Sequence, residues 1–141
     1  MTTYREGAYH ALRLPTGVEL VTALTAYCRD HDIWQAQVLG IGALRNPEIG
    51  SYSFVEERYT SFTLEGEWEM LTFNANVSLK DREPFVHPHV ILGDAEGHVR
   101  GGHLFAAEVL VAELTVQALQ GKPRARVTDP LTGLSLWPAE P

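Results

Sequence analysis

The chain has 141 residues, of which 45% are hydrophobic and 21% charged, a balance that excludes a disordered or fibrous protein and fits one domain over residues 1–141. Its formal net charge of -7 works against direct DNA binding, because affinity for phosphate backbones depends on an excess of lysine and arginine. No apolar run approaches the ~20 residues that span a bilayer, and the N-terminus lacks a signal-peptide core, so we expect a cytoplasmic protein without membrane contacts.

The first elements in chain order are a strand and a helix. Residues 9–14 alternate loosely between apolar and polar side chains, which predicts the strand. Thr16 and Glu19 have the spacing of a capping box, and apolar residues then recur every three or four positions, which predicts an amphipathic helix. Cys28 falls on the apolar face of this helix. It is the single cysteine, which excludes an intrachain disulfide and fits a reducing compartment.

The rest of the chain consists of short β-prone runs separated by Gly, Pro, Asn and Asp. This spacing predicts an α+β fold, with a mostly antiparallel sheet or partly open barrel and the N-terminal helix on one face. The run from 109 to 119 also fits a buried helix, but its β-branched residues favour a strand. Residues 129–141 are expected to add a short strand and a loose end. The predicted strands are residues 35–43, 50–56, 59–65, 68–79, 85–92, 98–105, 108–117 and 125–127.

Histidines are concentrated in one part of the sheet region, since four of the six lie between residues 87 and 103. On a strand, His87 and His89 project from the same face with Cα atoms roughly 6.5 Å apart, a span that two imidazoles can close around one metal ion. Lys122, Arg124 and Arg126 form a short basic segment that we interpret as a solvated edge.

The turn after the His-x-His pair decides whether a third histidine joins it. Asp94 and Gly97 have the positions typical of a three-residue loop with a G1 bulge, which pairs residue 89 with His103. His103 then lies on the face of the other two rings, whereas His98 points away with Asp94. A loop of two or four residues would instead place His103 on the opposite face, unless a bulge at residues 101–102 returned it to the face of His87 and His89. The two glycines at these positions fit a bulge, a bend or a close approach of another backbone.

Three neutral imidazoles suit zinc, with another divalent metal as a variant, and leave a fourth position for water or substrate. The alternative is that His87, His89 and His103 are hydrogen-bonded core or interface residues without a metal. The sequence analysis alone leaves both interpretations open.

The same segment closely resembles the signature of the PPC domain, the small domain shared by plants and prokaryotes. The resemblance lies in His87-x-His89-x-x-Leu92, then Gly97, then Gly101-Gly102-His103-Leu104, and upstream in Gly66-Glu-Trp-Glu-Met-Leu71, and it extends over about residues 4–137. It implies an antiparallel sheet flanked by helix, a homotrimer, and in bacterial members a metal site at His87, His89 and His103. The AT-hook through which plant members bind DNA is not found in this sequence.

Two functional hypotheses follow, with direct DNA binding as a weaker third. The leading one is a metal-supported homotrimer with a regulatory or interaction role, possible DNA association being the weakest part of it. The alternative is a zinc-dependent lyase or hydrolase acting on a small polar metabolite, because the fold is also similar to that of acetolactate decarboxylase, which holds zinc with three histidines. A lyase needs an acid or base, and by sequence position the candidates are Glu67, Glu69 and Arg100, with Glu69 first.

Overall fold

The computed structural model describes residues 5–141, with side chains from residue 7 onward. Over this range the chain forms one helix and eight strands. In chain order they are β1 (Arg5–Leu14), α1 (Leu20–Asp30), β2 (Ala36–Ser53), β3 (Arg58–Thr63), β4 (Glu67–Lys80), β5 (Glu83–Gly93), β6 (Val99–Gln120), β7 (Val127–Thr128) and β8 (Ser135–Leu136).

The main sheet is antiparallel and partly closes on itself. β2 and β6 pair along most of their length, from Ala36 opposite Ala118 to Gly50 opposite His103. β4 pairs with β2, and β5 pairs with both β4 and β6, so these four strands form a closed circuit. β1 lies beside β6, and β3 beside β2. The predicted α+β class with a mostly antiparallel, partly closed sheet is confirmed.

Strand alternation separates a core face from an outer face. On β5, Val86, Val90 and Leu92 are buried, whereas His87 and His89 project from the other side. α1 buries Leu20, Leu24 and Cys28 against the core, on the β5 and β6 side of the sheet. Burying each large apolar side chain contributes about 1.5–3 kcal/mol to the free energy of folding, so the inner face stabilises the sheet. Polar side chains such as the histidines can then occupy the outer face.

The start of the helix differs from the predicted capping box. Glu19 is itself the N-cap, since its carboxylate accepts from the backbone N–H groups of Val21 at 3.0 Å and Thr22 at 2.7 Å. The Thr16 hydroxyl instead donates to the carbonyl of Leu110 at 2.8 Å. The prediction that Thr16 caps the helix is therefore wrong, because a contact with β6 that is distant in sequence takes its hydroxyl.

Several predicted strand boundaries are also wrong, because the breakers between them make irregularities within strands and not turns. The runs 35–43 and 50–56 join in β2, where the register shifts near Asn46, a residue with φ of 49°. The runs 98–105 and 108–117 join in β6, and the strand preferred for residues 109–119 is confirmed. No helix within residues 5–141 has the length and apolar character needed to cross a membrane.

Candidate metal centre

The turn between β5 and β6 has the predicted three-residue form. The Asp94 N–H donates to the His98 carbonyl at 3.0 Å, the Gly97 N–H donates to the Asp94 carbonyl at 3.1 Å, and Gly97 has φ of +84°. Only a residue without Cβ adopts that φ at no steric cost, so the glycine fixes the loop length. Gly93 then pairs with Val99, and this register carries down the hairpin to the histidines.

The register brings three histidines together on the outer face. His89 pairs directly with His103, and His87 lies two residues along β5. The ring centroids are 5.1 Å apart for His87 and His89, 5.5 Å for His87 and His103, and 5.8 Å for His89 and His103. One ring nitrogen from each residue lies within 4.8 Å of the other two. Imidazole nitrogens at this spacing can converge on a single ion.

Glycines allow the backbone to approach closely behind His103. A Cβ added to Gly102 would lie 2.6 Å from the backbone oxygen of Gly50, which is the partner of His103 on β2. The pairing of β5 with β6 shows no register shift at Gly101 and Gly102. Of the sequence-based alternatives for these glycines, the close approach is therefore the one found.

The surroundings keep two of the rings uncharged. Burial lowers the pKa of His87 to about 4, and the neighbouring charges of Arg126, His89 and His103 act in the same direction. Burial, followed by the proximity of His89, lowers the pKa of His103 to about 4. Neutral imidazole is the form that binds a metal.

The Nδ1 atom of His103 shows whether these residues fit a metal. Within residues 7–141 it is buried and has no hydrogen-bond partner. A buried polar nitrogen without a partner costs roughly 1–3 kcal/mol, and coordination of an ion supplies the missing interaction. The residues present therefore fit a metal centre of the histidine type.

The histidines form part of the floor of an open cleft of about 880 Å³. The hairpin of β2 and β3, with aromatic rings that include Tyr52 and Tyr59, and the C-terminal segment with β7 and β8 line the rest, and the Tyr52 hydroxyl donates to the Thr132 carbonyl between them. Exposed charged residues at the turn tips, Glu57, Arg58 and Asp81, form the rim. The three rings are thus open to a molecule of metabolite size on one side.

Arg126 also lines the cleft, a position that the sequence analysis did not predict. Its guanidinium donates to Asn76 Oδ1 at 2.7 Å, Ser78 Oγ at 2.9 Å and the Ser135 carbonyl at 2.9 Å, and it lies over the Phe85 ring at 4.9 Å. The interpretation of the basic segment as a solvated edge is therefore wrong for Arg126. The sequence around Arg126 carries no local signal of this position, because its partners Asn76 and Ser78 lie on β4.

The other residues considered from sequence lie away from the histidine cluster. His98 binds Asp94, its Nδ1 lying 3.0 Å from Oδ2, on the opposite face as expected. Glu69 is exposed and pairs with Gly93, near the far end of β5 from His87, and it does not line the cleft. Glu67 pairs with Arg45 at 3.3 Å, and Arg100 lies opposite Leu92. The structure thus brings together the three predicted ligands and none of the predicted acid–base candidates.

The comparisons with known proteins agree with this architecture. A model of the Plants and Prokaryotes Conserved (PCC) domain, also abbreviated PPC, matches residues 1–120. The chain belongs to this family. The PCC match ends before β7, so Arg126 and the C-terminal side of the cleft lie outside the matched residues. A comparison with curated proteins finds no match.

Solved structures show the PCC fold over nearly the whole chain. A plant- and prokaryote-conserved protein from Pyrococcus horikoshii is 41% identical, with a TM-score of 0.95, and the match covers 100% of this chain and 99% of that one. A metal-containing protein from Archaeoglobus fulgidus is 38% identical, with a TM-score of 0.94 and 99% of both chains covered. A candidate DNA-binding protein from Bacteroides thetaiotaomicron is 21% identical, with a TM-score of 0.86 and 97% and 98% covered, a likeness that shows the fold alone.

Proposed function

We propose that this PCC-domain protein holds a divalent metal of the zinc type through His87, His89 and His103. The proposal is carried by the buried Nδ1 of His103, which has no hydrogen-bond partner among residues 7–141, in a cluster with one ring nitrogen from each histidine within 4.8 Å of the others. The Archaeoglobus fulgidus relative, described as metal-containing and 38% identical, supports the same interpretation.

The expected role is regulation or interaction, with the metal accessible to a small ligand. Three histidines leave one position of a tetrahedral zinc open, and a bound zinc would supply a Lewis acid there. The protein residues hold the ligand set in place, through the β5–β6 register, and shape the cleft that leads to it.

Metal analysis of the purified protein tests this proposal. We expect close to one zinc per chain in the wild type and in His98→Ala, because His98 lies outside the cluster. His103→Ala should lower zinc affinity by roughly a hundredfold or more, since it removes one of three ligands. Equal zinc content in wild type and His103→Ala, measured by mass spectrometry after dialysis against a chelator, would contradict the proposal.

A zinc-dependent lyase or hydrolase is the second candidate, and the open cleft favours it. Such an enzyme needs an acid or base near the metal. Glu57 and Asp81 line the cleft, whereas Glu69 does not, so they replace Glu69 as the residues to test. Turnover that is abolished by His103→Ala and reduced by Glu57→Gln or Asp81→Asn would establish an enzyme.

The proposal includes a cytoplasmic homotrimer whose net charge disfavours direct DNA binding. A single buried cysteine fits a reducing compartment, and a net charge of -7 opposes DNA binding. A gel shift at low salt tests the last point. Binding that weakens steeply as salt is added would instead support an association with DNA.

A further inference from the structure

The cleft also contains the positive charge of Arg126. Among residues 7–141, the hydrogen-bond acceptors around the half-buried Arg126 guanidinium are all neutral: Asn76 Oδ1, Ser78 Oγ and the Ser135 carbonyl. No carboxylate among residues 7–141 forms an ion pair with it. A guanidinium has five N–H donors, so two remain after these three bonds. A partly desolvated cation with spare donors is a recognition site for an anion.

Arg126 lies beside the histidines, because Arg126 and His87 occupy neighbouring positions on one face of the sheet. Asn76, which accepts from Arg126, pairs in register with His87. Side chains directly opposite on antiparallel strands lie on the same face, about 5 Å apart at Cβ. Arg126 and the three rings also line the same cleft. A small anion on this floor can therefore contact the guanidinium and the histidine cluster together.

The hairpin of β2 and β3 adds aromatic rings to the lining of the cleft. The Tyr59 ring lies 5.0 Å from that of His103 and 5.4 Å from that of Phe105, and the Tyr52 ring lies 5.3 Å from that of Phe54. Tyr59 is 40% exposed and Phe54 68% exposed, so both keep apolar surface open to the cleft. Aromatic surface of this kind favours a ligand with an apolar or ring-shaped part.

The rim of the cleft carries charges of both signs. Arg58 pairs with Glu56 at 2.7 Å, and the Lys80 ammonium lies 4.9 Å from the centre of the Phe85 ring. Glu57 and Asp81 are exposed carboxylates at turn tips. The rim therefore has no uniform sign, and the charge preference comes from Arg126 on the floor.

We propose that the cleft binds a small organic oxyanion, with its carboxylate or phosphate group between Arg126 and the histidine cluster and its apolar part against Tyr59 and Phe54. The contact with the metal rests on the proposed function, whereas the contact with Arg126 does not. The ligand class is thus a compact acid with an apolar or aromatic group.

Calorimetric titration of the zinc-loaded protein with acetate, benzoate and inorganic phosphate tests this inference. We expect benzoate to bind more tightly than acetate, and phosphate to show whether phosphate groups are accepted as well. Arg126→Gln should weaken binding of each accepted anion roughly tenfold or more, because it removes a charged hydrogen-bond donor. Arg100→Gln removes the same charge outside the cleft and should leave binding unchanged. All variants should hold equal amounts of zinc.

Because Arg126 also ties β4 to the C-terminal segment, Arg126→Lys serves as a second variant. It keeps the charge and loses the planar fork, so its affinity should fall between those of wild type and Arg126→Gln. Wild-type protein that binds none of the three anions, or Arg126 variants that bind them as wild type does, would overturn the inference. If the wild type holds no zinc, the proposed function fails, and the same titration of the metal-free protein still decides whether Arg126 binds anions.

Discussion

His87 and His103 are held neutral by burial, which makes their protonation a cost to the folded state when no metal is bound. Both have a pKa of about 4 in the fold, below the ordinary value of 6.5. As pH falls below about 6.5, the unfolded chain takes up protons at these residues and the folded chain does not. The stabilisation that the neutral rings provide is therefore lost between about pH 6.5 and pH 4.

We expect the unfolding free energy of metal-free protein to decrease over that interval by roughly 1–3 kcal/mol per ring, after a discount for solvent screening. Urea denaturation at a series of pH values measures it. Replacing both rings, by His87→Gln together with His103→Gln, should flatten the profile. A steep acid limb that persists in the double variant, while His98→Gln behaves as wild type, would show that other groups cause it.

Residue-level inference from sequence succeeded where the deciding chemistry was local. Asp94 and Gly97 are three positions apart, and the turn that they form determines the face of the sheet on which His103 lies. Arg126 was missed because its surroundings come from β4, some fifty residues earlier in the chain. Glu69 was chosen by its place in a motif, which carries no information about distance from the histidines.

At the scale of elements, Glu19 connects the helix to the sheet. Its carboxylate caps α1 and also accepts from the Ala107 N–H on β6 at 3.2 Å, while the Thr22 hydroxyl donates to it at 2.6 Å. One side chain therefore satisfies donors on two elements at the point where the helix docks.

Glu19→Ala should lower the unfolding free energy by about 1–2 kcal/mol, the usual range for loss of an N-cap. Glu19→Gln keeps one acceptor oxygen and should cost less. Chemical denaturation compares these variants with Thr16→Ala, which loses only the bond to Leu110. A larger loss for Thr16→Ala than for Glu19→Ala would mean that Thr16 is the cap in solution.

The types of the secondary-structure elements were largely predictable from the sequence, whereas the merging of neighbouring runs into the long strands β2 and β6 was not. The helix stripe and the alternating runs gave the correct element types, because burial imposes these periods on the sequence. The segment near Asn46 reads as a break, yet β2 continues through it with a register shift. A strand can absorb such residues when both of its edges are paired, and pairing with distant strands is not visible in a local pattern.

At the scale of the whole molecule, the outer face of the sheet carries apolar side chains that a lone chain leaves in water. Leu39 is 52% exposed, Ile41 61% and Leu71 49%. The register places Ile41 and Leu71 at facing irregularities of β2 and β4. Contiguous apolar surface of this kind is typical of a subunit interface and supports the proposed homotrimer.

We expect a native mass of three 15.7 kDa chains, and a shift toward single chains in Ile41→Asp, because a buried carboxylate would oppose assembly. Leu131→Asp is the matched control, since Leu131 is 87% exposed in the C-terminal segment. Light scattering after gel filtration measures the masses. A wild-type mass of one chain would contradict the trimer.

The C-terminal residues, beyond the matched family region, supply Arg126 and one wall of the cleft, whereas the imidazoles come from the matched region. In the proposed site, the metal ligands and the aromatic contacts with the anion therefore lie within residues 1–120, whereas the guanidinium that contacts the anion lies beyond them. Exchanging residues 121–141 between relatives would be expected to change the affinity for anions while leaving the three proposed metal ligands unchanged.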